Sequence, residues 1–258
     1  MGNSHSGGSI GSIAVSEWDP NVVWVGTGES NNLRSSSWGD GVYKSADGGA
    51  TWTHMGLRSS QHVPRIIIHP RDENVVWVAA MGPLWDSAGE RGLYRTSDGG
   101  RTWQLKKALG PFTGFTDVVF DPTNPDIMYA ASYQRERKAY SFVAGGPESG
   151  IWKSTDGGET WRELTAGLPT GDVGRIGVDV SRSQPNTLYA TVAASDGGIF
   201  RSDDAGDSWA LNEALWRMPD PSRSAAVWGA VYGLVEASRA DNPDHDGEDY
   251  FAMISRHL

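Results

Sequence analysis

The sequence predicts an all-β protein built from repeated four-stranded antiparallel units, and three observations support that prediction. One eight-residue pattern, Ser/Thr-x-Asp-x-Gly-x-Ser/Thr-Trp, occurs four times, at residues 45–52, 96–103, 154–161 and 202–209. The aspartates of successive copies lie 51, 58 and 48 residues apart, which is the length of four short strands with their connections. Glycine makes up 33 of the 258 residues, well above the roughly 7% of ordinary proteins, as expected of a turn-rich chain.

Each element of the unit has a local reason. An apolar–aromatic–basic triplet, typical of a strand, runs into every copy of the pattern, at residues 42–44, 93–95, 151–153 and 199–201. Two further strands precede it, joined by a turn that contains Pro or Asn, at residues 10–15 and 22–25, 65–68 and 75–78, 116–120 and 127–130, and 175–180 and 188–191. Proline fixes φ and Asn side chains bond turn backbone, so both short connections are favourable hairpin turns.

Tandem four-stranded sheets pack radially, so the sequence predicts a β-propeller with four complete blades over residues 9–212. Residues 1–8 are expected to be a flexible start. The repeat stops after residue 212, and residues 213–258 form a divergent tail. That tail is either a helix over residues 225–240 or, as we favour, a strand over 231–237, an Asp-Asn-Pro-Asp turn and a strand over 250–254. The favoured alternative is a partial fifth blade, which makes the chain a fragment of a larger propeller.

The repeated pattern is predicted to be structural. Its Asp carboxylate can accept bonds from turn amides, its Gly allows positive φ, and its Trp covers the hairpin. A carboxylate whose lone pairs are used in this way is not available as an acid or base. The residues given this structural role are Asp47, Gly49, Trp52, Asp98, Gly100, Trp103, Asp156, Gly158, Trp161, Asp204, Gly206 and Trp209.

Composition excludes several function classes. A net charge of −10 argues against nucleic acid as a partner, and the absence of an 18-residue apolar stretch argues against membrane insertion. The chain has no Cys, which excludes disulfides, thiol nucleophiles and cysteine metal sites, and its six His show no metal-ligand spacing. We therefore predict no cofactor and no metal site.

Function is expected on the face opposite the short turns. The second connection of each unit is long and irregular in three units, at residues 26–40, 80–92 and 131–150, and short in the fourth, at 194–197. Long loops on a rigid scaffold usually hold binding residues, and aromatic, acidic and basic side chains together suit a carbohydrate or an extended polypeptide. The candidate ligand-binding residues are Glu29, Asn32, Arg34, Trp38, Asp40, His62, Trp85, Arg91, Tyr133, Gln134, Arg135 and Arg137.

Hydrolysis is the alternative function. A glycoside hydrolase needs two carboxyl groups about 5–5.5 Å apart for retention or about 6.5–9.5 Å apart for inversion. Glu29, Asp40 and Glu90 are candidates because they lie in the long connections. Distances between different blades cannot be read from sequence, so the first hypothesis is a ligand-binding module and the second is a glycoside hydrolase.

The four patterned segments resemble Asp boxes, the bacterial neuraminidase repeats of sialidases, xyloglucan-type glycoside hydrolases and the sortilin N-terminal domain. Residues 25–29, 38–45 and 91–95 resemble large bacterial sortilin-type repeat proteins labelled glycosyl hydrolases. The Arg-Ile-Pro start of sialidases is absent, which argues against that activity. Over residues 9–212 the resemblance implies a propeller, further blades as partners, and an exported parent protein, in the periplasm or outside the cell. It implies little about activity.

Overall fold

The described part of the chain contains four antiparallel sheets of four strands each, as the sequence predicts. The first sheet contains β1 (Ile10–Val15), β2 (Val23–Thr27), β3 (Val42–Ser45) and β4 (Thr53–His54). A 3-10 helix (Arg58–Ser60) leads to the second sheet, β5 (Arg65–His69), β6 (Asp72–Ala80), β7 (Gly92–Thr96) and β8 (Gln104–Lys107). The third sheet contains β9 (Thr113–Phe120), β10 (Met128–Gln134), β13 (Ile151–Ser154) and β14 (Arg162–Leu164). A separate two-stranded hairpin, β11 (Glu136–Arg137) and β12 (Phe142–Val143), lies between β10 and β13 in the chain. The fourth contains β15 (Ile176–Val180), β16 (Leu188–Val192), β17 (Gly198–Ser202) and β18 (Ala210–Leu211).

The structure is a computed structural model that describes residues 9–31 and 36–213. The chain divides after Asn212 into two compact units, and all that follows concerns the first. The expectations for residues 1–8 and for the two alternative structures of the tail lie outside the described residues.

The first strands of consecutive sheets lie side by side, which is the arrangement of propeller blades around an axis. β1 contacts β5, β5 contacts β9, and β9 contacts β15. Side chains from one sheet satisfy the open strand edge of the next: Ser12 Oγ accepts a bond from Ile66 N at 3.0 Å, and Thr116 Oγ1 donates to Ile176 O at 2.9 Å. These bonds satisfy backbone groups at the inner edges of the second and fourth sheets, formed by β5 and β15.

Two strands are longer than predicted. β6 begins at Asp72, and β10 continues to Gln134 because β9 begins at Thr113 and remains paired with it. Tyr133 and Gln134, expected in a loop, are therefore strand residues. The irregular connection of the third sheet begins only after them.

The four patterned segments, here called the aspartate turns, have the same hydrogen bonds. In each, the Asp Oδ1 accepts the backbone N–H four residues later at 2.8–2.9 Å, and Oδ2 accepts that residue's hydroxyl at 2.6 Å. The Ser or Thr that opens the turn donates to the same carboxylate and accepts the N–H of the second turn residue after Asp at 2.8–2.9 Å. These bonds, with the Thr51 hydroxyl bond as the largest cause, lower the pKa of Asp47 to about 2.

Successive sheets pack together through an aromatic ring of one sheet, which contacts a Lys or Arg of its own sheet and a turn glycine of the next sheet. A Trp or Tyr of the second strand lies under a Lys or Arg of the third, and the aspartate turn of the next sheet packs a glycine against that ring. A Cβ at Gly100 would lie 2.6 Å from the Trp24 ring, and one at Gly158 would overlap Trp77. The ring–cation pairs are Trp24–Lys44, Trp77–Arg95, Tyr129–Lys153 and Tyr189–Arg201.

Two absences apply to the residues that the structure describes. Their helical content is confined to short turns, so none of it has the length and apolar character that a membrane crossing requires. Over the same residues, His, Asp and Glu side chains do not gather into a group of three that could hold a metal ion.

Candidate functional site

The sheets have two different ends, which we call the short-turn face and the long-loop face. The short-turn face consists of the first connection of each sheet and the aspartate turns. In every sheet an amide of the aspartate turn donates to an Asn or Asp carbonyl at or just before the start of the second strand, at 2.8–3.0 Å; the accepting residues are Asn21, Asn74, Asp126 and Asn186. The long-loop face consists of the second connections, residues 28–41, 81–91, 135–150 and 193–197, and the links between sheets, residues 55–64, 108–112 and 165–175.

Glu29 and His62 hold the base of the first long loop. Ser37 N donates to Glu29 Oε2 at 3.1 Å, and His62 Nδ1 lies 2.9 Å from the backbone oxygen of Glu29. Because a carbonyl only accepts, Nδ1 carries the ring proton. His62 is only 1% exposed, and burial, with Arg135 as the second cause, lowers its pKa to about 4, so the ring is neutral at physiological pH.

Asp40 ends the same loop and is held by its own sheet. Tyr43 donates its hydroxyl to Asp40 Oδ2 at 2.7 Å, Asp40 N donates to Thr27 Oγ1 at 2.9 Å, and His54 Nε2 donates to the Asp40 carbonyl at 2.7 Å. Arg58 Nη1 approaches the carboxylate at 3.5 Å. Tyr43, His54 and Thr27 were not predicted for the site. The sequence signal that could have drawn attention to this loop is the Gly-Asp-Gly at residues 39–41, directly before β3.

Arg91 and Glu90 fix the second long loop. The Arg91 guanidinium donates to the carbonyls of Met81 (2.7 Å), Pro83 and Asp86. Glu90 Oε2 accepts both the backbone N–H and the hydroxyl of Ser59, each at 2.9 Å, which ties this loop to the preceding link. Burial lowers the pKa of Arg91 to about 10, so it remains a cation at neutral pH.

The third candidate group lies beneath the surface. Tyr133 is 4% exposed and Arg135 is 1% exposed. Arg135 Nη2 donates to Gly82 O at 3.2 Å, and burial, then the nearby Arg91, lower its pKa to about 9. Gln134 Oε1 accepts Glu148 N at 3.2 Å. The structure thus brings the neutral His62 ring and the two cations Arg91 and Arg135 together beneath the surface, among loop carbonyls.

Arg137, Trp85 and Trp38 differ from that group because they reach the surface. The Arg137 Cζ lies 5.6 Å from the centre of the Trp85 ring and 5.3 Å from that of Phe142. Trp85 is 57% exposed and Trp38 is 65% exposed, while Tyr140 at the tip of the β11–β12 hairpin is 86% exposed. Arg135 and Arg137 are neighbours in one run of sequence, yet one is buried and the other stacks between rings.

The first loop also extends to the fourth sheet. Arg175 Nη1 donates to Ser30 O at 2.8 Å and to Asn31 Oδ1 at 3.2 Å. Asn32 and Arg34, predicted in the same loop, lie outside the described residues. Among the described residues, no hydrogen bond links the Glu29 carboxylate to the Glu90 carboxylate. Glu29 accepts from Ser37 of its own loop, and Glu90 accepts from Ser59 of the preceding link.

A cavity of about 450 Å³ opens on the short-turn face, where the ends of β1, β5, β9 and β15 meet. Trp18, His69 and Phe120 are among its lining residues, and Trp18 is 58% exposed. Its volume is within the range of ligand pockets, so this cavity is a second candidate ligand site beside the long-loop face.

Comparison with known proteins gives the family. A family model described as Sortilin-Vps10, "Sortilin, neurotensin receptor 3", matches residues 40–170, which is half of the chain. The chain belongs to the Sortilin-Vps10 family. This membership agrees with the four-sheet β-propeller described above.

Relatives of this Sortilin-Vps10 chain include enzymes. It is 30% identical over 252 residues to a xyloglucanase of Paenibacillus sp., covering 88% of this chain and 23% of the relative. It is 27% identical over 214 residues to the oligoxyloglucan-reducing end-specific xyloglucanase of Emericella nidulans, covering 64% and 26%. The chain therefore spans about a quarter of the length of these curated relatives.

Solved structures show the same fold. An ancestral GH74 enzyme matches with a TM-score of 0.62 and 21% identity, covering 83% of this chain and 26% of the enzyme. The GH74 enzyme of Niastella koreensis matches with a TM-score of 0.54 and 19% identity, covering 77% and 28%. At these identities the likeness concerns the fold alone.

Proposed function

We propose that this chain is a carbohydrate-binding propeller segment of a larger glycoside hydrolase of the xyloglucan-cleaving type, and that its long-loop face holds the glycan. The observation that supports this best is the concentration of exposed rings on that face: Trp38 is 65%, Trp85 57% and Tyr140 86% exposed. Such rings stack on the apolar faces of sugars. The similarity to proteins named xyloglucanases supports a glycan over an extended polypeptide.

The candidate residues divide into two roles under this proposal. Trp38, Trp85 and Arg137 contact the ligand because their side chains reach solvent, and Asn32 and Arg34 are assigned to contact because they share the loop of Trp38. The others shape the loops from below, since each is buried or bonded to loop backbone; they are Glu29, Asp40, His62, Arg91, Tyr133, Gln134 and Arg135. The aspartate turns are Asp boxes with a scaffold role.

Further blades of a parent protein are the other proposed partner. Tyr189 is 37% exposed, whereas the equivalent rings Trp24, Trp77 and Tyr129 are 0%, 1% and 0% exposed because the next sheet covers them. We assign the outer face of the fourth sheet to a fifth blade whose turn glycine would cover Tyr189.

A binding panel tests the glycan. The full chain is titrated calorimetrically with xyloglucan oligosaccharides, with mannan oligosaccharides and with a reduced, unfolded polypeptide. We expect heat and saturation with xyloglucan oligosaccharides alone. Binding of the polypeptide without any glycan, or no binding at all, would contradict the proposal.

Hydrolysis by this chain is the second candidate, favoured only by the relatives' names. Glu29, Asp40 and Glu90 each accept hydrogen bonds from neighbouring loop groups, which suits structural carboxylates. We expect the chain to release no reducing ends from xyloglucan. Release that is abolished by one of E29Q, D40N or E90Q, with binding retained, would instead place a catalytic carboxylate in this chain.

A further inference from the structure

The first and fourth sheets, at the two ends of the described unit, carry complementary halves of one contact. We infer that two copies of the chain associate head to tail through these halves, so that the first sheet of each copy packs on the fourth sheet of the other. The association rests on the proposed assignment of the outer face of the fourth sheet to a fifth blade, and the second copy is the source of that blade. In a longer parent protein, a following blade would occupy the same face and exclude the second copy.

The contact between neighbouring sheets occurs three times within the described unit. In each case the ring on the second strand of one sheet shares a buried cluster with apolar residues on the first two strands of the next sheet. The clusters are Trp24 with Ile66, Val76 and Val78, then Trp77 with Val118, Met128 and Ala130, then Tyr129 with Val178, Leu188 and Ala190. The apolar residues occupy the same register positions in each sheet, so the three contacts are equivalent.

The first sheet has these apolar positions, but no described sheet covers them. Ile13 pairs with Val25, and Val15, on the same side of β1, pairs with Val23. Ile13 is 63% and Val15 53% exposed. The residues equivalent to Ile13 in the other three sheets are Ile66, Val118 and Val178, which are 3%, 0% and 3% exposed. The side of the first sheet that holds Ile13 is therefore the open half of the same contact.

The turn glycines show the same difference. A Cβ at Gly100 would lie 2.6 Å from the Trp24 ring of the preceding sheet, and one at Gly206 would lie 3.3 Å from Tyr129. At Gly49, the equivalent residue of the first sheet, the nearest atom to such a Cβ is 3.5 Å away and belongs to Trp52 of the same turn. Within the described part of the chain, Gly49 packs on no ring of another sheet. The partly exposed Tyr189 ring of the fourth sheet is the ring that Gly49 would fit.

The charges of the two open halves are also compatible. Where the second and third sheets meet the next sheet, an acid of the next aspartate turn pairs with a cation, Lys106 with Glu159 at 2.8 Å and Arg162 with Asp207. The first sheet has Ala50 at the position of these acids, and the fourth sheet's Arg201 already pairs with Asp203 of its own sheet at 2.7 Å. Contact between the two sheets therefore buries no new unpaired charge, which would be unfavourable.

Two copies can make both contacts at once. Because the two halves differ, the contact is heterologous, and such contacts either close into a ring or continue as an open chain. Two copies contain eight described sheets, and propellers have typically four to eight blades. We therefore expect a closed dimer.

Sedimentation velocity of the full chain without glycan, over a wide range of concentrations, tests the association. The variants are I13K on the first sheet, Y189K on the fourth and the control V143K, which substitutes a partly exposed residue of the β11–β12 hairpin. Near-ultraviolet circular dichroism checks that each variant remains folded. We expect the unchanged chain and V143K to form dimers. I13K and Y189K should each raise the dissociation constant at least about a hundredfold, because each places an unpaired ammonium in both contacts of the dimer.

Mixing the two variants distinguishes head-to-tail association from other modes. A Y189K copy keeps an intact first sheet and an I13K copy keeps an intact fourth sheet, so an equimolar mixture can form one unaltered contact. We expect the mixture to form a dimer under conditions in which each variant alone is a monomer.

Three results would overturn the inference. The first is an unchanged chain that remains a monomer at every concentration. The second is a dimer that I13K disrupts and Y189K does not, since this would indicate contact between two first sheets. The third is a mixture of the folded variants that remains monomeric. None of these results depends on glycan, so each leaves the proposed glycan binding to be tested separately by calorimetry.

Discussion

The short-turn face and the long-loop face are ends of the same sheets, yet they are built in opposite ways. On the short-turn face the same hydrogen bonds recur four times with distances that agree within about 0.1 Å. On the long-loop face the described connections share bonds only at their bases, where Thr27 and Ser132 each donate their N–H and hydroxyl to the glycine before the third strand. Beyond those bases, charged side chains are buried among carbonyls. The repeated bonds are those that every sheet needs in order to pack, whereas the side chains of the long loops differ from one sheet to the next.

Gly158 and Gly171 give the largest expected difference between the two faces. Both have positive φ, +83° and +89°, but a Cβ at Gly158 would overlap the Trp77 ring, while one at Gly171 meets no atom within 4 Å. We expect G158A to lower the free energy of unfolding by about 3 kcal/mol and G171A by about 1 kcal/mol, because only the first adds overpacking to backbone strain. Urea unfolding measures both. Equal losses would show that the ring does not lock the turn.

Ser154 and Ser59 compare a hydroxyl of an aspartate turn with one of a link. Ser154 Oγ accepts Gly158 N at 2.9 Å and donates to Asp156 at 2.8 Å, and it is 1% exposed. S154A should cost about 2 kcal/mol, because it leaves buried groups unsatisfied, whereas S59A should cost less than about 0.5 kcal/mol at its exposed position. The midpoints of urea unfolding report both changes, and a larger loss in S59A would reverse the comparison.

The faces should also lose stability in different pH ranges. Burial lowers the folded-state pKa of His62 to about 4, below its ordinary value of 6.5, so the unfolded chain binds the proton more readily. Stability therefore falls as pH drops from 6.5 toward 4. The aspartate turns, with pKa values of about 2 for Asp47, Asp156 and Asp204, keep their contribution down to about pH 4 and lose it as pH falls toward 2.

The variant H62Q tests the loss of stability that His62 protonation causes between pH 6.5 and pH 4. Between pH 7.5 and 5.0 the unchanged chain should lose on the order of 2 kcal/mol more stability than H62Q, because Gln does not titrate. Asp117, whose pKa burial raises to about 6, titrates in this range with the opposite sign, but it is present in both proteins and cancels. Urea unfolding at the two pH values measures the difference. Parallel losses would mean that His62 is not buried as a neutral ring.

The sequence predicted the scaffold well because the scaffold is local. The Asp, Ser and Gly of each aspartate turn bond within eight residues, so their spacing alone determined the sheets and the turns. For the candidate site, the sequence predicted only which face of the sheets carries it and not how its residues are arranged. Burial of Arg135 beside the stacked Arg137 depends on Gly82 and Trp85, some 50 residues away, and no local pattern reports that distance. Tyr133 was misplaced in a loop because pairing with β9 extends β10 beyond its apolar core.

Calorimetric titration of W85A and W18A with the glycan that the unchanged chain binds tests the central claim most directly. The two Trp are matched, 57% and 58% exposed, but Trp85 lies on the long-loop face and Trp18 lines the cavity of the short-turn face. If the long-loop face holds the ligand, W85A should weaken binding about tenfold, the effect of losing one stacked ring of about 1.4 kcal/mol, and W18A should change it less than about twofold. Loss of binding in W18A with full affinity in W85A would place the ligand on the short-turn face and contradict the claim.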